Sequence, residues 1–104
     1  MIGPLPPAHW RAAWENSDHE FLGLERGQWY RVVKEFSDFE GDVHRAGETW
    51  AFLGHNFLPY EDGLSLFVSL DGQQEWHIRM RWTPEDQGPI IDAITEYLTL
   101  VDRA

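Results

Sequence analysis

The residues able to do chemistry fall in two stretches of this chain. Asp38, Glu40, Asp42, His44 and Glu48 lie within the eleven residues from 38 to 48, and oxygen ligands at that density suit a hard cation such as calcium. The spacing departs from an EF-hand, because Gly41 is the fourth residue counted from Asp38, where that loop requires glycine at the sixth. His44 and Glu48 offer two metal ligands, but the local sequence supplies no suitable third, leaving His55 and His77 as distant partners. A solvated acidic loop without metal or other cofactor is the expectation.

The second stretch is Gly54 to Leu66, GHNFLPYEDGLSL. Pro59 with Glu61, Asp62 and Gly63 is turn chemistry: proline presets its φ, aspartate bonds its own backbone, and glycine takes positive φ. A turn does not require Phe57 and Tyr60 beside His55 and Asn56. Nucleophilic catalysis finds little footing. Ser65 and Ser69 sit on a strand rather than a nucleophile elbow, and Gly41, Gly47 and Gly54 form no phosphate-cradling pattern. Glu48 and Glu61 could divide acid and base roles only if the fold brought them together.

The elements that must position these groups are mostly strands. Residues 28–36 place Tyr30, Val32 and Phe36 on one face, interrupted by Lys34, and 48–54 are apolar on both faces. Residues 64–70 alternate Leu64, Leu66, Val68 and Leu70 against Ser65 and Ser69. Residues 74–82 set Trp76, Ile78, Met80 and Trp82 inward against a cationic stripe of His77, Arg79 and Arg81, which pairs with carboxylates or holds an anion. The Asp71-Gly72 pair predicts a three-residue bulged hairpin of Leu70, Asp71 and Gly72, with Leu66 opposite Trp76 and Leu64 opposite Ile78.

Trp10 and Trp14 lie four apart after Pro6-Pro7, predicting a short N-terminal helix within 8–20. Ile90, Ile91, Ile94, Tyr97, Leu98 and Val101 recur at helical spacing, predicting an amphipathic helix over 89–102. The whole chain, 1–104, reads as one mainly β domain with flanking α (α+β): flexible residues 1–7, the first helix, a β meander over 27–82 and the last helix. Its loop order is that of an SH3-like small barrel, and a curled four-stranded antiparallel meander is the neighbouring architecture.

Gly27-x-x-Tyr30, Phe36-x-Asp38-x-x-Gly41, His44-x-x-Gly47-Glu48-x-Trp50-x-Phe52-Leu53-Gly54, Asn56 through Val68, and Ile78-Arg79-x-x-Trp82 together resemble a small bacterial family known only as a domain of unknown function. The resemblance spans about Leu22 to Ile91, roughly two-thirds of the chain. It implies a bacterial source and carries no activity.

Charge and composition narrow the partners. Eighteen Asp and Glu against eight Lys and Arg give a net charge of −10, which repels nucleic acid and anionic lipid. There is no cysteine, so disulfides, thiolate nucleophiles and cysteine-containing zinc sites are excluded. The N-terminus carries no secretory pattern and no apolar run approaches a membrane span, making the cytoplasm the expected compartment. The reading that follows is a non-enzymatic module for a protein or peptide partner, with a groove formed by His44, Trp50, His55, Asn56 and Tyr60. In a sharper form, an inhibitor or immunity-type protein uses its acidic surface to neutralise a basic toxin or nuclease. The alternative is a small hydrolase or metal-dependent enzyme using His44, Glu48 and His55.

Overall fold

Period-two alternation is carried through the middle of the chain, and the strands it builds form the core of a computed structural model that describes residues 1–102. In chain order the elements begin with β1 (Ile2–Leu5), a single helical turn α1 (Arg11–Trp14), and the short pair β2 (Glu20–Phe21) and β3 (Leu24–Glu25). β4 (Trp29–Val32) follows, then a small hairpin of β5 (Phe36–Ser37) and β6 (Val43–His44). The long β7 (Thr49–Leu58), a 3₁₀ turn (Pro59–Glu61), β8 (Gly63–Ser69) and β9 (Glu75–Arg81) come next. Two short helices, α2 (Gly88–Asp92) and α3 (Ile94–Tyr97), lead into β10 (Leu98–Val101).

Six of these strands make one antiparallel sheet in the order β1-β9-β8-β7-β4-β10. Its centre, β4-β7-β8-β9, is a four-stranded meander in sequence order, as the alternation predicts. The sheet does not close into an SH3-like barrel, because β1 and β10 lie at its two opposite ends. One face is the core, formed by Val32, Trp50, Phe52, Leu64, Leu66, Val68, Ile78 and Met80, and covered by Leu24, Ile91, Ile94 and Leu98.

Both ends of the chain depart from the sequence expectation for one reason: each serves as an edge strand. Residues 2–5, expected to be flexible, add to the exposed side of β9, with Ile2 opposite His77 and Leu5 opposite Glu75. Pro4 is tolerated there because an edge strand can do without one amide donor. The expected helix over 89–102 stops at Tyr97, and Leu98 to Val101 pair residue by residue with Val32 back to Trp29. Ladder bonds from β4 outweigh the helical spacing of Leu98 and Val101, and the segment LTLV has strand propensity of its own.

The N-terminal helix is likewise shorter than 8–20, a single turn held from both sides. Glu75, 3% exposed, accepts the backbone N–H of Ala8 and of Trp10 and the indole N–H of Trp14. Arg26 donates to the carbonyls of Trp14, Glu15 and Ser17. An anion at the amide end and a cation at the carbonyl end satisfy groups that so short a helix cannot pair internally. The turn lies on the outer sheet face, where the Trp10 ring meets Phe67 and His77.

The β8–β9 connection is also longer than predicted. Asp71 accepts the N–H groups of Gln73 and Gln74, and Ser69 Oγ accepts that of Gly72, so residues 70–74 all belong to the loop. The register moves by two: Leu64 faces Met80, Leu66 faces Ile78 and Val68 faces Trp76. A shift of two preserves the face of every side chain, so the inward set is as expected although the pairs are not.

Candidate functional site

The acidic stretch of residues 38–48 is a folded hairpin, not a solvated loop. β5 and β6 pair Phe36 with His44, and this turns Asp38 and His44 inward to 2% and 1% exposure. His44 Nε2 lies 2.7 Å from Asp38 Oδ2, and its Nδ1 lies 2.6 Å from Glu48 Oε2. With a carboxylate oxygen at each nitrogen, the pocket favours the protonated ring, which can donate to both. Burial alone would lower the His44 pKa, but the bonds and charges of Glu48 and Asp38 together outweigh it and leave it raised. Asp38 Oδ1 also accepts the N–H groups of Glu40 and Asp42, and the Met1 ammonium contacts both Asp38 and Asp42.

Trp50, fully buried, donates its indole N–H to Glu48, and Phe36 stacks on the imidazole at 4.8 Å between centroids. His44 and Trp50 are thus brought together, through Glu48, inside the fold. In this arrangement both imidazole nitrogens are engaged by carboxylates, so neither is turned toward a metal or a substrate. The Phe36-x-Asp38 and His44-x-x-x-Glu48-x-Trp50 motifs are the sequence trace of this network.

The other three groove candidates lie far along β7 or, for Tyr60, in the turn that follows it. Asn56 is six residue steps along the strand from Trp50, about 20 Å at ~3.3 Å per residue. A bulge at Leu53, between the pairs Phe52–Val68 and Gly54–Phe67, rotates the strand there. His55 consequently stacks on Phe21 at 3.7 Å, and its Nδ1 is buried with no hydrogen-bond partner among the described residues. Burial lowers its pKa, as does the charge of Arg26, against an opposing effect of Asp18. His44, Glu48 and His55 therefore do not converge.

Asn56 lies on the opposite, outer face, in a cross-strand row with Ser65 and Arg79. Next to this row Ser65 Oγ is 2.7 Å from His77 Nε2, whose ring stacks on Phe67 and meets the edge of Trp10. Burial first, and then the charge of Arg79, pushes the His77 pKa down to about 4. This serine–histidine contact has no carboxylate hydrogen-bonded to the ring among the described residues, so the third member of a catalytic triad is missing.

Tyr60 is fully exposed at the tip of the β7–β8 turn. There the expected turn chemistry is redistributed: Asp62, not Gly63, adopts the left-handed conformation, with φ 50°, which the short polar side chain tolerates. Beside this turn is an open cleft of about 250 Å³ lined by Phe39, Tyr60, Glu61, Gly63, Arg79 and Arg81. Phe39 reaches it from the β5–β6 hairpin, donating its N–H to the Arg79 carbonyl and placing its ring 5.5 Å and 6.0 Å from the Arg79 and Arg81 guanidinium carbons. Arg79 Nη1 bonds Glu40 at 3.0 Å, while Arg81 Nε is 3.8 Å from Asp86, an ion pair beyond hydrogen-bond length.

Of the five sequence candidates only Tyr60 lines this cleft. Arg79 and Arg81 were visible in the sequence as a cationic stripe. Phe39 and Gly63 were not, because their placement depends on how the hairpin folds over β9 and on the β8–β9 register.

No curated protein matches the sequence. Among solved structures, the integron cassette protein VCH_CASS4 from the mobile metagenome of Vibrio cholerae is 36% identical, with a TM-score of 0.78 over 84% of this chain and 96% of its own. The family described as domain of unknown function DUF3601 matches residues 12–103, extending beyond both ends of the motif resemblance. The chain belongs to this DUF3601 family.

Proposed function

We propose that this domain is a non-catalytic interaction module that engages a basic polypeptide through the outer end of its sheet, at the β7–β8 turn and the tip of the β5–β6 hairpin. The observation that carries this reading is the exposure of Tyr60, at 103%, together with Phe39, Phe57 and Leu58 at 40%, 38% and 50%. An exposed aromatic group rimmed by charged residues is the composition of a contact surface rather than of a solubilising one. The net charge of −10 steers a cationic partner toward the domain and repels nucleic acid.

A photocrosslinking residue placed at Tyr60, with Arg45 as the exposed control position, tests the proposal in lysate of cells carrying the gene. A discrete polypeptide adduct formed at position 60, absent at 45 and reduced by raised salt, is the expected result. Equal labelling from both positions would sink it.

A further inference from the structure

Gly63 is a glycine that its own fold does not require. The left-handed residue of the turn is Asp62, with φ 50°, and a Cβ built on Gly63 meets only the Cβ atoms of Glu61 and Leu58, both at 3.9 Å, an ordinary contact distance. What its missing side chain does provide is space, and that space is directly opposite Arg81, its cross-strand partner.

The groups around this space are incompletely paired. Arg79 and Arg81 lie two residues apart on one strand face, which sets them about 7 Å apart. Arg79 uses one nitrogen on Glu40, and the Arg81 guanidinium makes no hydrogen bond among the described residues. Glu61 lines the same cleft and forms an ion pair with neither arginine. A cleft of about 250 Å³ falls below the roughly 300–1,000 Å³ of sites that enclose a small-molecule ligand. It admits one side chain or one chain terminus.

We infer that this cleft is a carboxylate site: it takes a single peptide carboxylate between Arg81 and Arg79, with Tyr60 against the peptide and Glu61 facing its neighbouring residue. The inference rests on the reading of the domain as an interaction module and names the chemistry that its surface recognises. A guanidinium fork matches a carboxylate with two parallel hydrogen bonds, and Phe39 holds both forks beside the opening. Glu40, Asp86 and Glu61 outnumber the two arginines, so a polyacidic peptide is repelled. One carboxylate on an otherwise neutral or basic peptide is accepted. Its source is a chain terminus or an Asp or Glu side chain, and the two are chemically equivalent at the forks.

The test follows amide shifts of the ¹⁵N-labelled chain during titration with three versions of one short lysine-containing peptide. One has a free C-terminal carboxylate, one is amidated, and one is amidated with a single internal glutamate. Saturable shifts confined to residues 60–63 and 79–81 are expected with at least one carboxylate-bearing version, binding about tenfold or more tightly than the carboxylate-free version. Which version binds identifies the source. Arg81→Gln is expected to weaken binding by about tenfold or more, and Gly63→Leu, which fills the cleft, to abolish it while spectra elsewhere stay unchanged.

Binding that ignores the carboxylate, or that survives both substitutions, overturns the carboxylate site, as does the absence of binding by any version. None of these outcomes touches the position-60 crosslink, so the interaction reading stands or falls separately.

Discussion

One small hairpin contributes to two polar sites of opposite character. From the β5–β6 segment Asp38 and His44 turn inward, where every strong donor meets an acceptor: Asp38 receives two backbone N–H groups and the His44 ring, and Glu48 receives the other ring nitrogen and the Trp50 indole. The neighbouring Phe39 and Glu40 turn outward to Arg79 and Arg81, where the guanidinium groups remain only partly paired. The difference lies in saturation. A buried charge must be fully partnered because an unpaired one costs several kcal/mol, and a group so saturated is unavailable to a ligand. An exposed charge loses little by leaving donors to water, and those donors can be offered to another molecule.

The largest expected effect breaks the inner site. Asp38→Ala leaves the buried His44 ring with one partner and frees two backbone N–H groups, and should destabilise the domain by about 3–5 kcal/mol, read from urea unfolding at pH 7. A loss below about 1 kcal/mol would mean that the cluster is not a buried ion set.

Two glycines on the outer face sharpen the same contrast. A Cβ at Gly54 meets Ser17 Oγ and Trp14 Cβ at 2.8 Å, so Gly54→Ala should cost about 1–3 kcal/mol by displacing α1. Gly63→Ala, whose Cβ makes only ordinary contacts at 3.9 Å, should be neutral or stabilise by about 0.4–1 kcal/mol through the unfolded chain. Similar costs at both positions in thermal or urea unfolding would erase the distinction between a filled face and an open cleft.

The histidines should divide the pH profile of stability. His77, with its folded pKa lowered to about 4 from 6.5, binds its proton more readily when unfolded, so its contribution is present above pH 6.5 and is lost as pH falls toward 4. His55, also lowered, acts in the same direction. His44, with its folded pKa raised above 6.5, contributes fully below pH 6.5 and loses that contribution as pH rises through its folded value. In urea midpoints measured from pH 4 to 9, His77→Gln should flatten the acid limb and His44→Gln the alkaline one. A variant that leaves its limb unchanged would show that another group controls it.

The smallest effect on stability belongs to Tyr60. With its ring fully exposed, Tyr60→Ala should move unfolding by no more than about 0.5 kcal/mol. A larger change would make the ring a structural plug and weaken its assignment to a contact surface.

β8 and β9 were the most legible strands because alternation is a property of each strand alone: Leu64, Leu66 and Val68, like Ile78 and Met80, declare their inward face without reference to a neighbour. The Asp38, His44, Glu48 and Trp50 motif was legible as a pattern, but the burial that explains it was not. An acidic residue in a loop looks the same in sequence whether or not the loop folds back on a histidine. Local spacing also misled at both ends, where Leu98 to Val101 and Ile2 to Leu5 took their conformation from ladder partners about 65 to 75 residues away in the chain.

The sequence by itself determined the side-chain parity of β8 and β9, the aromatic content of the core, the turn at Pro59 and the acidic charge. Only the tertiary structure decided that β8 and β9 pair with Gly63 opposite Arg81, that a bulge at Leu53 reverses the parity of β7 and so puts His55 on the core face and Asn56 on the outer one, and that Phe39 lies over the arginines. Parity follows from the geometry of a single extended chain. Register, bulge and docking follow from hydrogen bonds between distant segments and from the length of the loops that join them, and these are settled only when the whole sheet is assembled.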